Sequence, residues 1–136
     1  MQAHTPDQIR VDTFVRTADR DLDVARLILQ GSPHFYESIG FHCQQAVEKY
    51  LKGVLAAHSL PAPFIHNLVV LMGMLLQSGI AQFTPLDLAD AATLNEFAVE
   101  LRYEIDDAPS FTSADLLAMA DRFRAKLRPL AQAFLI

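Results

Sequence analysis

Apolar residues recur along the chain at the three- and four-residue spacing of helices, and no segment alternates apolar and polar positions for long enough to make a strand. Thr5-Pro6-Asp7-Gln8 reads as a helix start, with Thr5 as cap, Pro6 where a missing N–H does no harm, and Gln8 placed to complete a capping box. Phe14, Ala18, Leu22, Ala25 and Leu29 then make one stripe until Gly31. Ser32-Pro33 repeats the start signal, and a second helix is expected from there to about His58, before Pro61-Ala62-Pro63 imposes an extended connection. Its apolar stripe is Ile39, Cys43, Ala46, Val47, Tyr50, Val54 and Ala57, with His42, Gln45, Lys49 and Lys52 on a polar face. A short, strongly apolar third helix is expected from about Asn67 to Gln77, ended by Gly79. Thr84-Pro85-Leu86-Asp87 opens a fourth, whose pattern runs from Leu86 to Tyr103. Thr112 or Ser113 caps a fifth, where Leu116, Ala120, Phe123, Leu127, Leu130 and Phe134 alternate steps of four and three, and Pro129 is expected to kink or fray its last turns. The fold class is therefore all-α, an up-and-down bundle of four to five helices forming one domain over residues 1–136.

Composition agrees with that pattern and narrows the function. A chain of 136 residues, 51% hydrophobic and without Trp, is long enough to bury a core without metal or disulfide support. The apolar run from Leu68 to Leu76 is about half of the roughly 20 residues that span a bilayer, so it reads as core and no membrane role is expected. A formal charge of −5 argues against sequence-blind nucleic-acid binding over the whole surface but leaves room for a local basic cleft. Cys43 is the single cysteine, which excludes an intrachain disulfide, and its place on the apolar stripe makes it an inert core thiol. The opening MQAHTPDQIR lacks the basic-then-apolar layout of a secretion signal, so a cytoplasmic protein is expected.

Four pieces in order, DLDVARLIL at 21 to 29, FHCQQAVEKYLKGVL at 41 to 55, PAPFIHNL at 61 to 68 and LRY at 101 to 103, resemble the HEPN domain. The resemblance implies a helical bundle that commonly dimerises, with its polar residues in a cleft near the dimer interface. It also implies nucleotide or RNA binding, and a frequent pairing with a small nucleotidyltransferase in toxin–antitoxin-like couples. A catalytic subset of the family is implied to be metal-independent ribonucleases carrying Arg, then four to six residues, then His. From Arg102 that histidine would fall at Asp107, Ala108 or Pro109, and none of these is histidine. Moving a proton at a ribose 2′-hydroxyl at neutral pH suits imidazole and suits an ionised aspartate poorly. No catalytic residue is therefore assigned on the motif, and His42 or His66 stand as the candidates to replace the missing base.

The candidate phosphate-binding set is Arg102, Asn95, Asp21, Gln45, Lys49, Tyr103 and His66. Each has a structural reading beside the functional one. Asn95 and Arg102, seven residues apart, share a face with Leu88, Ala91, Ala92 and Val99, where they could satisfy Asp21 or Glu48 internally or present a guanidinium to a phosphate. Asp21 falls on the inward side of the first helix or at its boundary with water, and if buried it needs a partner. Gln45 and Lys49 belong to a face that could equally be solvated, and Glu48 with Lys52 has the spacing of a surface ion pair. His66 stands just before a helix start, where it could cap, pack or bind phosphate, and Tyr103 could stack on a base or pack. Arg122, Arg124, Lys126 and Arg128 read as cations favoured by a helix C-terminus. No His-Glu-x-x-His or comparable spacing is present, so neither a metal nor a cofactor is expected. Three functions compete: a binding and partner module, a ribonuclease with a substituted base, and a helical interaction protein whose polar residues are all satisfied within the fold or at a dimer contact.

Overall fold

The computed structural model describes residues 4–98 and 110–136, and among these there are helices and turns but no strand. The elements are α1 (Pro6–Gly31), α2 (Tyr36–Ala57), α3 (Leu68–Gln77), α4 (Pro85–Asn95) and α5 (Ser113–Gln132), followed by a 3₁₀ turn (Ala133–Leu135). The all-α bundle expected from the periodicity is what the chain forms.

Local chemistry sets most helix starts. Thr5 with Gln8, Thr84 with Asp87 and Thr112 with Asp115 each close a reciprocal capping box, and Asn67 caps α3 by accepting from Val69 and Val70 N–H. The Ser32-Pro33 signal does not start α2. The Ser32 N–H donates to Ile28 O at 2.7 Å as the C-cap of α1, Phe35 N–H turns back to Ser32 O, and α2 begins at Tyr36 without a side-chain cap. At its far end α2 stops through a left-handed residue, Ser59 at φ 57°, with Leu60 N–H donating to Leu55 O; Gly79 at φ 70° ends α3 the same way, with Ile80 N–H on Leu75 O.

α2 is the central helix. Thirteen of its 22 residues are buried, because it packs between α1 and α5 while α3 and α4 lie over it. α5 runs antiparallel to α1, as its cross-links show: Asp121 meets Arg26, Arg128 meets Asp19, and Phe134 O accepts from Gln8. Leu22, Ile39, Tyr50, Leu51, Leu71, Leu94, Leu116 and Phe123 are among the side chains that fill the space between the helices.

Two boundaries differ from the periodicity. α4 ends at Asn95 rather than running to Tyr103; Glu96, Phe97 and Ala98 N–H groups reach back three residues, tightening the chain so that Phe97 folds inward over Gly40 of α2. The ring stands edge-on to Tyr36 with centroids 5.2 Å apart, and this packing outweighs continuation of the helix. On α4 the inward face is Asp87, Asp90, Ala91 and Leu94; of the residues expected to share a face with Asn95, Ala91 is buried, Leu88 and Ala92 face out, and Val99 lies outside the described residues. In α5, the helix continues three residues past Pro129 to Gln132 before tightening into the 3₁₀ turn, with Ala131 fully buried.

Candidate functional site

The outward face of α2 and the side of α1 beside it carry the first polar cluster. Asp21 is buried, and its two oxygens take different partners: Oδ1 lies 3.0 Å from His42 Nδ1, and Oδ2 accepts from Lys49 Nζ at 2.6 Å. Burial pushes the Asp21 pKa up, but the hydrogen bonds from His42 and Lys49 and their charges prevail and hold it below the usual carboxylate range. Asp21 is thus an internal counter-ion and not the boundary residue facing water that was the simpler expectation. It fixes the His42 ring through Nδ1, and among the described residues Nε2 makes no hydrogen bond.

One turn further along, Glu48 repeats the arrangement. It is buried, with Oε1 2.8 Å from His66 Nδ1 and Oε2 accepting from Lys52 Nζ at 3.1 Å. Gln44, fully buried, donates to His66 O at 2.9 Å and to Glu48 Oε1, and it accepts from Gln45 Nε2 at 2.7 Å. The His66 side chain is 58% exposed, so its ring is held at the base by Glu48 and open at the rim. The Glu48–Lys52 pair is not a surface pair: the side chains are 6% and 12% exposed.

Asn95 serves a third, adjacent cluster. Its Oδ1 accepts from Leu68 N–H at 2.8 Å and its Nδ2 donates to Asn67 Oδ1 at 3.1 Å. The first N–H groups of α3 are therefore sealed by two asparagines, which removes the helix start beside His66 as a phosphate site. His66, Asn67, Asn95 and Ala98 line a small hollow of about 270 Å³.

Of the sequence-derived set, Asp21, Lys49 and His42 come together, Gln45 and His66 join through Gln44, and Asn95 shares a hollow with His66. No hydrogen bond links Asn95 to Asp21 among the described residues. Arg102 and Tyr103 lie outside the described residues. The contributions that sequence reading missed are Gln44 as the link and Asn67 as the partner of Asn95. Gln44 sits four residues before Glu48, a spacing that places the two on one side of the helix, but nothing local announces that this side meets the loop before α3.

The cations of α5 are also paired rather than free at a helix end. Arg122 grips buried Asp90 with Nε at 2.9 Å and a second nitrogen at 3.0 Å, Lys126 meets Asp87, and Arg128 takes both oxygens of Asp19. Asp19 also accepts the hydroxyl of buried Tyr50, whose pKa is pushed up by burial and by that carboxylate. Cys43 is fully buried, and burial drives its thiol up to about 12, which makes it unreactive. Among the described residues no group of three or more His, Cys, Asp or Glu could hold a metal, and no helix is long and apolar enough to cross a membrane.

Comparison with known proteins matches this architecture. The structure of ST0689, an archaeal HEPN homologue, superposes with a TM-score of 0.60 at 23% identity, covering 91% of this chain and 97% of that one, which speaks for the shared fold. No curated protein matches. The HEPN domain pattern matches residues 11–128, from within α1 to within α5, and the chain belongs to the HEPN domain family.

Proposed function

We propose that this chain is a nucleotide- or RNA-phosphate-binding HEPN module whose site is the outer face of α2. The observation that carries the reading is the doubled arrangement of a buried carboxylate holding an imidazole through Nδ1 and a lysine on its other oxygen, Asp21 with His42 and Lys49, then Glu48 with His66 and Lys52. Each lysine ammonium has three donors and each imidazole a second nitrogen, so the face offers several donors held in place by buried anchors. A phosphate that accepts from Lys49 and an imidazole gains charge-assisted hydrogen bonds. Arg102 and Tyr103 complete the site in this reading, Arg102 as a guanidinium fork and Tyr103 as a stacking surface.

Calorimetry with AMP, ATP and a short single-stranded RNA tests it, using the parent chain, Lys49→Ala and Arg102→Ala. Each variant is expected to weaken binding roughly tenfold or more, the scale of one lost charge-assisted hydrogen bond. Absence of binding by the parent to all three ligands would sink the ligand assignment. The module is further proposed to act as a homodimer and as the partner of a small nucleotidyltransferase in a toxin–antitoxin-like pair. Support for this is membership of the family. Co-expression with the protein encoded beside it, followed by size-exclusion chromatography, is expected to give a stable complex; separate elution would remove the partner role.

A second reading, a ribonuclease with a substituted base, is favoured by the way Asp21 orients His42. A carboxylate on Nδ1 sets the tautomer and leaves Nε2 to accept a proton. It requires cleavage of RNA by the purified chain that His42→Ala abolishes. Intact RNA after prolonged incubation would exclude it.

A further inference from the structure

The two imidazoles of the α2 face are held by groups that fix which ring nitrogen carries the proton. Both oxygens of Asp21 face donors: Oδ2 accepts from Lys49 Nζ at 2.6 Å, and Oδ1 lies 3.0 Å from His42 Nδ1. Glu48 is placed alike, with Oε2 accepting from Lys52 Nζ and Oε1 lying 2.8 Å from His66 Nδ1 while also accepting from Gln44 Nε2. An ionised carboxylate can only accept, so the hydrogen of each neutral ring sits on Nδ1 and Nε2 is left as a lone pair. A phosphate oxygen is an acceptor as well, and the two repel. Once the ring takes up a proton, which imidazole does between about pH 8 and 5, Nε2 becomes a charged donor aimed at the same oxygen.

Charge balance changes in the same direction. Asp21 is faced by His42 and Lys49, and Glu48 by His66 and Lys52, with no further ion pair to either among the described residues. The hollow beside His66 is completed by Asn67, Asn95 and Ala98, none of them charged. With neutral rings, each lysine is therefore cancelled by its carboxylate, and the described face has no net charge. Protonation of both rings adds two positive charges, and Arg102 contributes one more in either state where it completes the site. The rings are also the outward part of each cluster. Their side chains are 24% exposed at His42 and 58% at His66, against 12% and 6% for Asp21 and Glu48, and Lys52 is only 12% exposed.

We propose that the α2 face is a proton-gated anion site, an inference that rests on the phosphate-binding reading above: His42 and His66 hold phosphate as imidazolium ions, and ligand binding draws a proton onto Nε2 of each ring. Buried carboxylates on Nδ1 make the gate, because they leave the neutral ring no donor to offer.

Calorimetry of the full chain with oligouridylate lacking terminal phosphates tests the gate at constant ionic strength. Its phosphodiesters and bases keep one charge state between pH 5.5 and 8, so any proton exchanged with solvent is taken up by the protein. Affinity is expected to rise at least roughly tenfold from pH 8 to pH 5.5, the scale of one charge-assisted hydrogen bond gained. Titrations at pH 7 in buffers of different ionisation enthalpy are expected to show net proton uptake, which linkage ties to the slope of affinity against pH. His42→Gln and His66→Gln are each expected to reduce the uptake and flatten the slope, and the double variant to abolish both. Affinity independent of pH, with no proton uptake, overturns the gate and leaves the phosphate reading standing. Uptake retained by a double variant that keeps the parent's melting temperature overturns the gate as well. Absence of binding at every pH removes the phosphate reading, and the gate with it.

Discussion

Replacing Asp21 by Asn keeps the shape of the side chain and removes its charge, which makes it a direct measure of the carboxylate that organises the α2 face. The amide presents an NH₂ where one carboxylate oxygen now accepts, so either Lys49 or His42 must face a donor. Removing one partner of a fully buried ion pair costs about 3–5 kcal/mol. Here the His42 and Lys49 side chains keep 24% and 29% of their surface in water, so solvent recovers part of that loss. An expected cost of about 2 kcal/mol follows, or roughly 7 °C in Tm for a chain of this length. The pH dependence gives the second half of the test. Because the folded-state pKa of Asp21 is depressed, its stabilisation is fully present above the unfolded-state value near about 4 and is lost as pH falls through the folded value. Urea unfolding followed by circular dichroism should therefore separate parent and variant most widely at pH 7 and draw them together as the pH falls below about 4. A difference below about 0.5 kcal/mol at pH 7, within the range of ordinary surface changes, or one that persists unchanged in acid, would refute the assignment.

Gly40→Ala places a Cβ within 2.3 to 2.6 Å of three atoms of the Phe97 ring, including Cγ, so the ring must leave its site; the variant is expected to lose about 1–3 kcal/mol in urea unfolding despite Ala's better helix propensity. Arg122→Ala strips buried Asp90 of its two-point partner and should cost about 2–3 kcal/mol at pH 7, whereas Arg16→Ala, whose pair is exposed, should cost under about 0.5. Ser59→Gly relieves a side chain held at φ 57° and should raise stability by about 0.5–1 kcal/mol, read as a shift in the urea midpoint. Cys43, fully buried and with its thiol driven up to about 12, should resist Ellman's reagent at pH 8 in native buffer and react with one equivalent in denaturant; rapid native labelling would contradict its burial.

Much of the fold was legible because it is written in short-range chemistry. Thr5, Thr84 and Thr112 each announce a helix start through a partner three residues on, and the stripe from Ile39 to Val54 marks the buried side of α2. Where local signals misled, a tertiary contact competed with them: Phe97 left the α4 pattern to cover Gly40, and Ser32 served the end of α1 rather than the start of α2. The site was legible in residue type more than in pairing. Asp21, His42, Lys49 and His66 stand out as polar residues near an apolar stripe, but the spacing within one helix says nothing of the rotation at which another meets it.

Residue order alone determined that the chain is helical, that helices open near Thr5, Thr84 and Thr112, which face of α2 is buried, and that Arg102 is not followed by the ribonuclease histidine. These follow from interactions spanning four residues or fewer, or from identity itself. The tertiary structure decided which side chain each carboxylate meets: Asp21 with Lys49, Glu48 with His66, Asp90 with Arg122, and Asp19 with Arg128 across 109 positions of sequence. Such pairs depend on the register and rotation of packed helices, so they exist only once the whole bundle has closed.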